Sequence, residues 1–547
     1  MATTLHPSGH RDPWSRAQLP PMAEWPVLRL DGPYAYPARL NCATRLLDDA
    51  IREGHGDRVA LVVPDGDGGW RELTYAALAA EVDALAHVLT AELGLIPGHR
   101  VLLRGFNGQW MSVAWLAVMK AGLVAVTTMP LLRATELRVL LERAQCAAAL
   151  CDSRLASELQ EAARDREVPV HCWGTDDADG LEARMARHRR PFTACDTASD
   201  DVCLIAFTSG TTGVPKGCMH FHRDVMAMCD GFSAQVLRLT AADRCIGTPP
   251  FAFTFGLGGL LCFPLAARGS TVLLEKATPE LLLDAIAATG ATVSFTAPTF
   301  YRLMGLAIRK EPARFSTVSL RTTVSAGEAL PDVTRTLWRE VTGLEMLDGI
   351  GATELIHIFI AAAGADVRPG AIGRAVPGYE VAVLDEALRP VPAGTVGRLA
   401  VRGPTGCRYL ADPRQRSYVQ EGWNLTGDAA TMDADGYVFF KARTDDLIIS
   451  AGYNIGAPEV EAAVMQHPAV AECAVVGVPD EERGQLVKAV VVLAAGHAPS
   501  DALATEIQEF VKRTIAPYKY PRVVAFTTAL PKTDTGKLQR FRLKESA

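Results

Sequence analysis

Residues 202–217 constrain this chain more than any other stretch. Val202–Phe207 (VCLIAF) is an unbroken apolar run of β-favouring character, the pattern of a buried strand. It leads straight into Thr208–Gly217 (TSGTTGVPKG), with glycines at 210, 213 and 217, hydroxyls at Thr208, Ser209, Thr211 and Thr212, and Lys216 behind Pro215. Glycines let backbone amides approach a ligand closely, hydroxyls and amides offer neutral donors to anionic oxygens, and a lysine adds a mobile positive charge. That chemistry suits a polyphosphate. The stretch is not a Walker loop, because Pro215 stands where that pattern needs its second glycine. Taken alone, a Ser/Thr/Gly surface turn accounts for it equally well.

The surrounding chain reads as α/β. Thr74 can cap a helix with Leu78, Val82, Leu85 and Leu89 on one face, ended by Gly94. Val101–Leu103 then reads as a strand, Trp110–Lys120 as a helix and Leu123–Val126 as a strand. Thr135 opens a further helix before the strand Ala147–Cys151. Strand alternating with helix predicts stacked βαβ units and a mostly parallel sheet. The longest apolar run, Met111–Leu132, is broken by Lys120, Gly122 and Pro130, so it predicts helix, turn and strand instead of a membrane span.

A chain of 547 residues calls for at least two units. Its net charge of −7, without a basic block, argues against nucleic acid as a partner. Met1–Pro21 lacks an apolar signal region, which makes the cytoplasm the expected location. Twelve cysteines without a C-x-x-C pair give no disulfide framework, and Cys218, His220 and His222 alternate without a fourth ligand at zinc spacing. Leu5–Val27 reads as an irregular arm, and Gly174–Arg190 as a charged surface excursion. Phe251–Phe263 (FAFTFGLGGLLCF) fits either a tightly packed helix start or the wall of an apolar pocket. From Leu447 the texture changes to short strands and helices, enough for a small α+β unit. Near its end Pro531–Arg540 (PKTDTGKLQR) carries Lys537, by itself an ordinary solvated charge.

Further segments follow in order: Thr323–Leu330 (TVSAGEAL), Asp348–Glu354 (DGIGATE), Asn424–Gly436 (NLTGDAATMDADG) and Arg443-Thr444-Asp445-Asp446. With TSGTTGVPKG and PKTDTGKLQR they resemble the motifs of the adenylate-forming (ANL) superfamily, which includes acyl- and aryl-CoA synthetases, luciferases and peptide-synthetase adenylation domains. The resemblance spans roughly residues 40 to 545. It implies a large α/β N-terminal domain (1–444) and a small, mobile α+β C-terminal domain (445–547), hinged near Asp445.

The same resemblance assigns sites. Thr208, Ser209, Gly210, Thr211, Thr212, Gly213 and Lys216 would hold the phosphates of ATP. Adenine would lie between Gly327, Glu328 and Ala329 on one side and Asp348, Gly349 and Ile350 on the other. Ile350 stands where many members have a stacking tyrosine. Thr353 would contact the α-phosphate and Glu354 would bind Mg²⁺, a hard cation that shares oxygen ligands with phosphates. Asp428 would accept the ribose hydroxyls, and Arg443 would reach ribose or phosphate, with Ala442 replacing the usual glycine before it. Lys537 would be the catalytic lysine, and Gly452 would border a pantetheine tunnel. Phe253, Phe255, Ala326, Ile350, Gly351 and His357 would form the acyl site, with Phe253 at the gating position.

The implied activity is that of an ATP-dependent acid–thiol ligase, acting as a monomer or homodimer. Coenzyme A is the expected thiol, since no fused carrier domain follows Lys537. A carrier protein charged in trans is the alternative. Peptide-synthetase domains place an aspartate near Phe251–Phe255 for an α-ammonium group, and FAFTF has none, so α-amino acids are disfavoured. DGIGATELIHIF at 348–359 resembles benzoate-CoA ligases. SAGYNIGAPEVE at 450–461 and the arm HPSGHRDPW…LPP resemble 2-aminobenzoate-CoA ligases. The expected acid is aromatic: 2-aminobenzoate first, benzoate second.

Overall fold

The computed structural model of the chain describes residues 5–208, 215–443, 447–450, 453–480, 483–515, 517–532 and 538–545. Two large sheets carry the N-terminal part. One has six strands in the spatial order Val170–Trp173, Cys146–Asp152, Arg100–Arg104, Val124–Thr128, Val202–Thr208 and Lys216–Phe221. All neighbours are parallel except the last pair, which is antiparallel. The other has nine strands and a parallel centre that includes Val293–Thr296, Thr322–Ser325 and Leu347–Gly351. Alternating βαβ connections put helices against these sheets, and the strands are accordingly apolar on both faces. Val202, Cys203, Leu204 and Ile205 are all buried.

The local rules that make these elements are visible. Thr74 Oγ1 accepts the Ala77 amide at 3.2 Å, opening helix Tyr75–His87, which buries Leu78, Val82 and Leu85. Each such apolar side chain contributes roughly 1.5–3 kcal/mol on leaving water. Met111–Leu132 divides into helix Gln109–Lys120 and strand Val124–Thr128, as its interruptions predict. Among the described residues no helix is long and apolar enough to cross a membrane. Two details differ from expectation. The helix assigned to Thr135 runs from Ala134 to Ala144 and is capped by the Glu136 carboxylate, which accepts the Arg133 amide at 2.9 Å. The charged excursion at 174–190 contains helix Leu181–Met185, whose Leu181 and Met185 are buried.

The arm at 5–27 is irregular but anchored. Arg16 pairs with Asp200 and Asp201, and Asp201 also accepts the Gly9 amide at 2.8 Å. These aspartates immediately precede the strand that enters the phosphate loop. A third, antiparallel sheet holds strands Trp423–Met432 and Val438–Arg443. The C-terminal part forms a five-stranded sheet with helices Ala457–Val464 and Asp501–Thr514. It packs around its own core, which includes Ile448, Val460, Val475, Val491 and Ile507. The fold is therefore a large α/β domain with mostly parallel sheets, followed by a smaller α+β domain. All twelve cysteines are free thiols.

Candidate active site

The phosphate-loop residues Ser209, Gly210, Thr211, Thr212 and Gly213 lie outside the described residues, as do Asp445, Gly452 and Lys537. Both banks of the loop are described. Thr208 ends one strand and pairs with Lys216, which begins the next. Lys216 is half-buried, and its Nζ lies 4.0 Å from Glu354 Oε1. The loop lysine and Glu354, 138 positions apart in sequence, thus meet at one point.

The turn carrying Thr353 and Glu354 follows strand Leu347–Gly351 and is held from several sides. His220 Nε2 bonds the Thr353 carbonyl at 2.8 Å. Thr405 Oγ1 donates to the Leu355 carbonyl at 2.9 Å. Ile356, fully buried, adopts φ +64°, a left-handed conformation costing a β-branched residue on the order of 1–3 kcal/mol. Packing on all sides sustains that strain, and it aims Glu354 and His357 from adjacent ends of one tight turn.

The adenine assignment falls on neighbouring strand ends. Ser325 and Asp348 are registered partners on parallel strands, so Gly327–Ala329, just past the end of one strand, follow on beside Asp348–Ile350 in the next. A crevice at the carboxyl ends of parallel strands is where open α/β sheets bind ligands. Gly327 has φ +89°, which requires glycine, while Ala326 behind it is buried. Glu328 accepts the Thr299 hydroxyl at 2.7 Å. Burial pushes the Asp348 carboxyl up to about 7, against the pull of Arg335 and of the Gly349 amide.

Asp428 and Arg443 face one another across registered antiparallel strands, with Nη1 2.8 Å from Oδ1. Arg443 Nη1 also donates to the Thr426 carbonyl at 2.9 Å. Burial pulls the guanidinium down, but the Asp428 carboxylate outweighs it and the net shift is upward. Gly427 adopts φ +76°, a conformation that favours glycine, and this brings its backbone close against Arg443 Nη2. Burial, then Glu354 and, more weakly, Asp428 push the Tyr418 phenol well up, so the two clusters share one neighbourhood.

His357 is buried among Phe263, Phe232 and Phe255, with ring centroids 4.6, 5.4 and 5.8 Å away. Its Nε2 bonds the Phe255 carbonyl at 3.4 Å, while its Nδ1 is buried without a partner. The glycines of FAFTFGLGGLLCF make this packing possible: a Cβ on Gly258 would sit 2.5 Å from His357 Cδ2. Phe255 packs on the core, whereas Phe253 is 37% exposed, just ahead of helix Thr254–Leu257. Ile350 is half-buried and Gly351 exposed on the same strand. The packing around His357 is thus aromatic with a single imidazole.

Two contributors were not legible beforehand. Tyr409 donates its hydroxyl to Glu354 Oε1 at 2.5 Å and accepts from Lys216 Nζ at 3.1 Å. It sits in an irregular segment with no periodicity to expose it. His220 drew attention only as one of three alternating soft donors. These diverge: Cys218 packs with Cys407 and Tyr409, His220 goes to Thr353, and His222 Nδ1 accepts the Cys42 amide at 3.2 Å. Among the described residues the soft donors that converge are Cys42, Cys203 and His222, within 4.8 Å of one another.

Comparison with known proteins identifies the family. Residues 48–409 match the AMP-binding enzyme family, and residues 459–537 match the AMP-binding enzyme C-terminal domain. The chain is 32% identical over 518 residues to the benzoate–CoA ligase of Thauera aromatica, covering 93% of this chain and 97% of the relative. It is 31% identical over 520 residues to the 3-hydroxybenzoate–CoA ligase of Aromatoleum sp. (strain CIB), covering 92% and 97%. The crystal structure of the anthranilate CoA ligase AuaEII in complex with anthranoyl-AMP superposes with a TM-score of 0.87 at 32% identity, covering 94% of this chain and 99% of that one. The chain therefore belongs to the AMP-binding, adenylate-forming enzymes, among their acyl-CoA ligases.

Proposed function

We propose that the protein is an ATP-dependent aryl-CoA ligase whose acid is 2-aminobenzoate, with benzoate second. The observation that carries the reading is the buried His357 among Phe232, Phe255 and Phe263, a wall with one polar group and no carboxylate. An α-ammonium group would be desolvated there without a counter-charge, whereas an aromatic amine is neutral at pH 7. The similarity to ligases of benzoate, 3-hydroxybenzoate and anthranilate supports the same class.

In the first half-reaction the acid's carboxylate attacks the α-phosphorus of ATP, forming acyl-AMP and releasing pyrophosphate. Such transfers are catalysed largely by positioning and charge neutralisation. Lys216 supplies a cation at the mouth of the phosphate loop, and Thr353 lies beside it on the strained turn. Glu354 fits a Mg²⁺ ligand, being a carboxylate beside the loop with Oε2 free of hydrogen bonds among the described residues. Mg²⁺ would neutralise polyphosphate charge when bound there. The Asp428–Arg443 pair offers an acceptor and a cation for ribose and phosphate. In the second half-reaction the thiol of coenzyme A attacks the acyl-AMP carbonyl and AMP leaves. Asp445 would act as hinge, Lys537 would serve adenylation and Gly452 would border the pantetheine tunnel; the cytoplasm is the proposed location.

The test is pyrophosphate release with 2-aminobenzoate, benzoate, salicylate, octanoate and phenylalanine. The highest kcat/KM should belong to 2-aminobenzoate. A maximum at octanoate or phenylalanine refutes the aryl slot.

A further inference from the structure

Lys216 and Glu354 carry opposite charges 4.0 Å apart, beyond hydrogen-bond distance. One hydroxyl fills that gap. A phenol has a single donor and accepting lone pairs, and Tyr409 uses the donor on Glu354 Oε1 at 2.5 Å while accepting from Lys216 Nζ at 3.1 Å. The Lys216 ammonium also stands 5.1 Å from the Tyr409 ring centroid.

The hydroxyl is placed by the backbone, not by the charges it touches. The Tyr409 amide donates to Gln415 Oε1 at 2.9 Å. On either side, Met219 N–H donates to the Arg408 carbonyl and Leu410 N–H to the Gly217 carbonyl, each at 2.8 Å. Residues 408–410 are thereby laid along the strand that begins with Lys216. Arg408, fully buried, is fixed by its ion pair to Asp224. Tyr418 packs edge-on against the Tyr409 ring at 5.7 Å.

Without this spacer, nothing among the described contacts would keep the ammonium and the carboxylate from closing into a direct pair. Each would then neutralise the charge that the other needs for its ligand. Resting on the function proposed above, we propose that Tyr409 is a positioning residue for nucleotide activation, holding Glu354 and Lys216 one hydroxyl apart. Glu354 Oε2 stays open to the hard cation that accompanies a polyphosphate, and the Lys216 ammonium stays available to the polyphosphate itself. The thioester-forming step uses neither a polyphosphate nor that cation, so it should not depend on the spacer.

The experiment uses the full chain and Tyr409→Phe, which keeps the ring and removes the hydroxyl. Pyrophosphate formation is measured against MgATP and against free Mg²⁺, and thioester formation is measured from synthetic acyl-AMP plus coenzyme A. The half-saturating Mg²⁺ and the KM for MgATP should each rise about tenfold, the scale of one hydrogen bond to a charged group, with kcat changing less. Thioester formation should be retained, which also shows that the variant is folded. Mg²⁺ and MgATP dependences within about twofold of wild type, or equal damage to both half-reactions, overturn the proposal. Glu354→Gln is run in parallel. If it abolishes pyrophosphate formation while Tyr409→Phe is silent, only the spacer fails. If Glu354→Gln is itself silent, the nucleotide reading of the site fails, and the spacer with it.

Discussion

His220 and Thr353 are joined by a 2.8 Å hydrogen bond from an imidazole nitrogen to a main-chain carbonyl. The bond ties the strand that leaves the phosphate loop to the turn that carries Glu354. Behind it, His220 Nδ1 lies 3.8 Å from Asp224, the buried partner of Arg408. The strand that begins at Lys216, the turn carrying Glu354 and the 408–410 segment are therefore one mechanical unit.

Replacing His220 by Ala should loosen the turn without touching any ligand. The expected loss is about tenfold in kcat/KM for pyrophosphate formation, since one buried carbonyl is left without its donor. Thioester formation from synthetic acyl-AMP should fall less. Equal activity of variant and wild type in the first half-reaction would show that the tether is dispensable.

The parts of this site that were legible in the sequence are those that local rules write down. Val202–Phe207 reads as a buried strand because its residues are apolar in succession, and TSGTTGVPKG reads as an anion loop because its glycines and hydroxyls are contiguous. Thr353 and Glu354 were reachable only through ordered resemblance. Tyr409 and His220 were not reachable, because their meaning lies in partners 55 and 133 positions away. Likewise the arm looked irregular, and only Asp200 and Asp201 explain how it is held. Thr135 reads as opening a helix that in fact begins at Ala134, where the Glu136 carboxylate accepts the Arg133 amide, a boundary that spacing alone does not fix.

Asp428→Asn keeps the shape of the side chain and removes the charge that pairs with Arg443. If Asp428 accepts the ribose hydroxyls, the wild-type enzyme should prefer ATP to 2′-deoxy-ATP. The variant should lose that preference, with KM for ATP rising about tenfold. Kinetics with the two nucleotides check this. An unchanged preference would place the ribose elsewhere.

Lys537→Ala tests the division of labour between the half-reactions. Acyl-AMP formation should lose roughly 3–4 kcal/mol of barrier stabilisation, the effect of removing one donor to a developing charge. Thioester formation from synthetic acyl-AMP should survive. Comparable, severe loss in both steps would contradict a role confined to adenylation. Asp445→Pro should do the reverse if Asp445 is the hinge, because fixing φ there would impair a rearrangement between the two steps.

If His357 faces the acid as proposed, it links the choice of acid to pH. Burial pushes its imidazole down to about 3, only partly opposed by the bond to the Phe255 carbonyl, so the ring is neutral across the working range. With Nε2–H donating to that carbonyl, Nδ1 is left as an acceptor, which an ortho amine or hydroxyl on the substrate can satisfy and benzoate cannot. His357→Phe should therefore lower kcat/KM for 2-aminobenzoate about tenfold and leave benzoate nearly unchanged. The sign of the stability effect follows from the same shift. Above the ordinary histidine value of 6.5 both folded and unfolded chains hold His357 neutral, and it contributes no pH dependence. Below 6.5 the unfolded chain takes up the proton first, so stability is lost as pH falls, by roughly 2 kcal/mol at pH 5, until the folded group titrates near 3. Chemical denaturation of wild type and His357→Phe at pH 7.5 and pH 5 should show the smaller acid-side loss in the variant. Parallel losses in the two proteins would mean that this imidazole is protonated in the folded state, and a charged ring would make a poor acceptor for an aromatic amine.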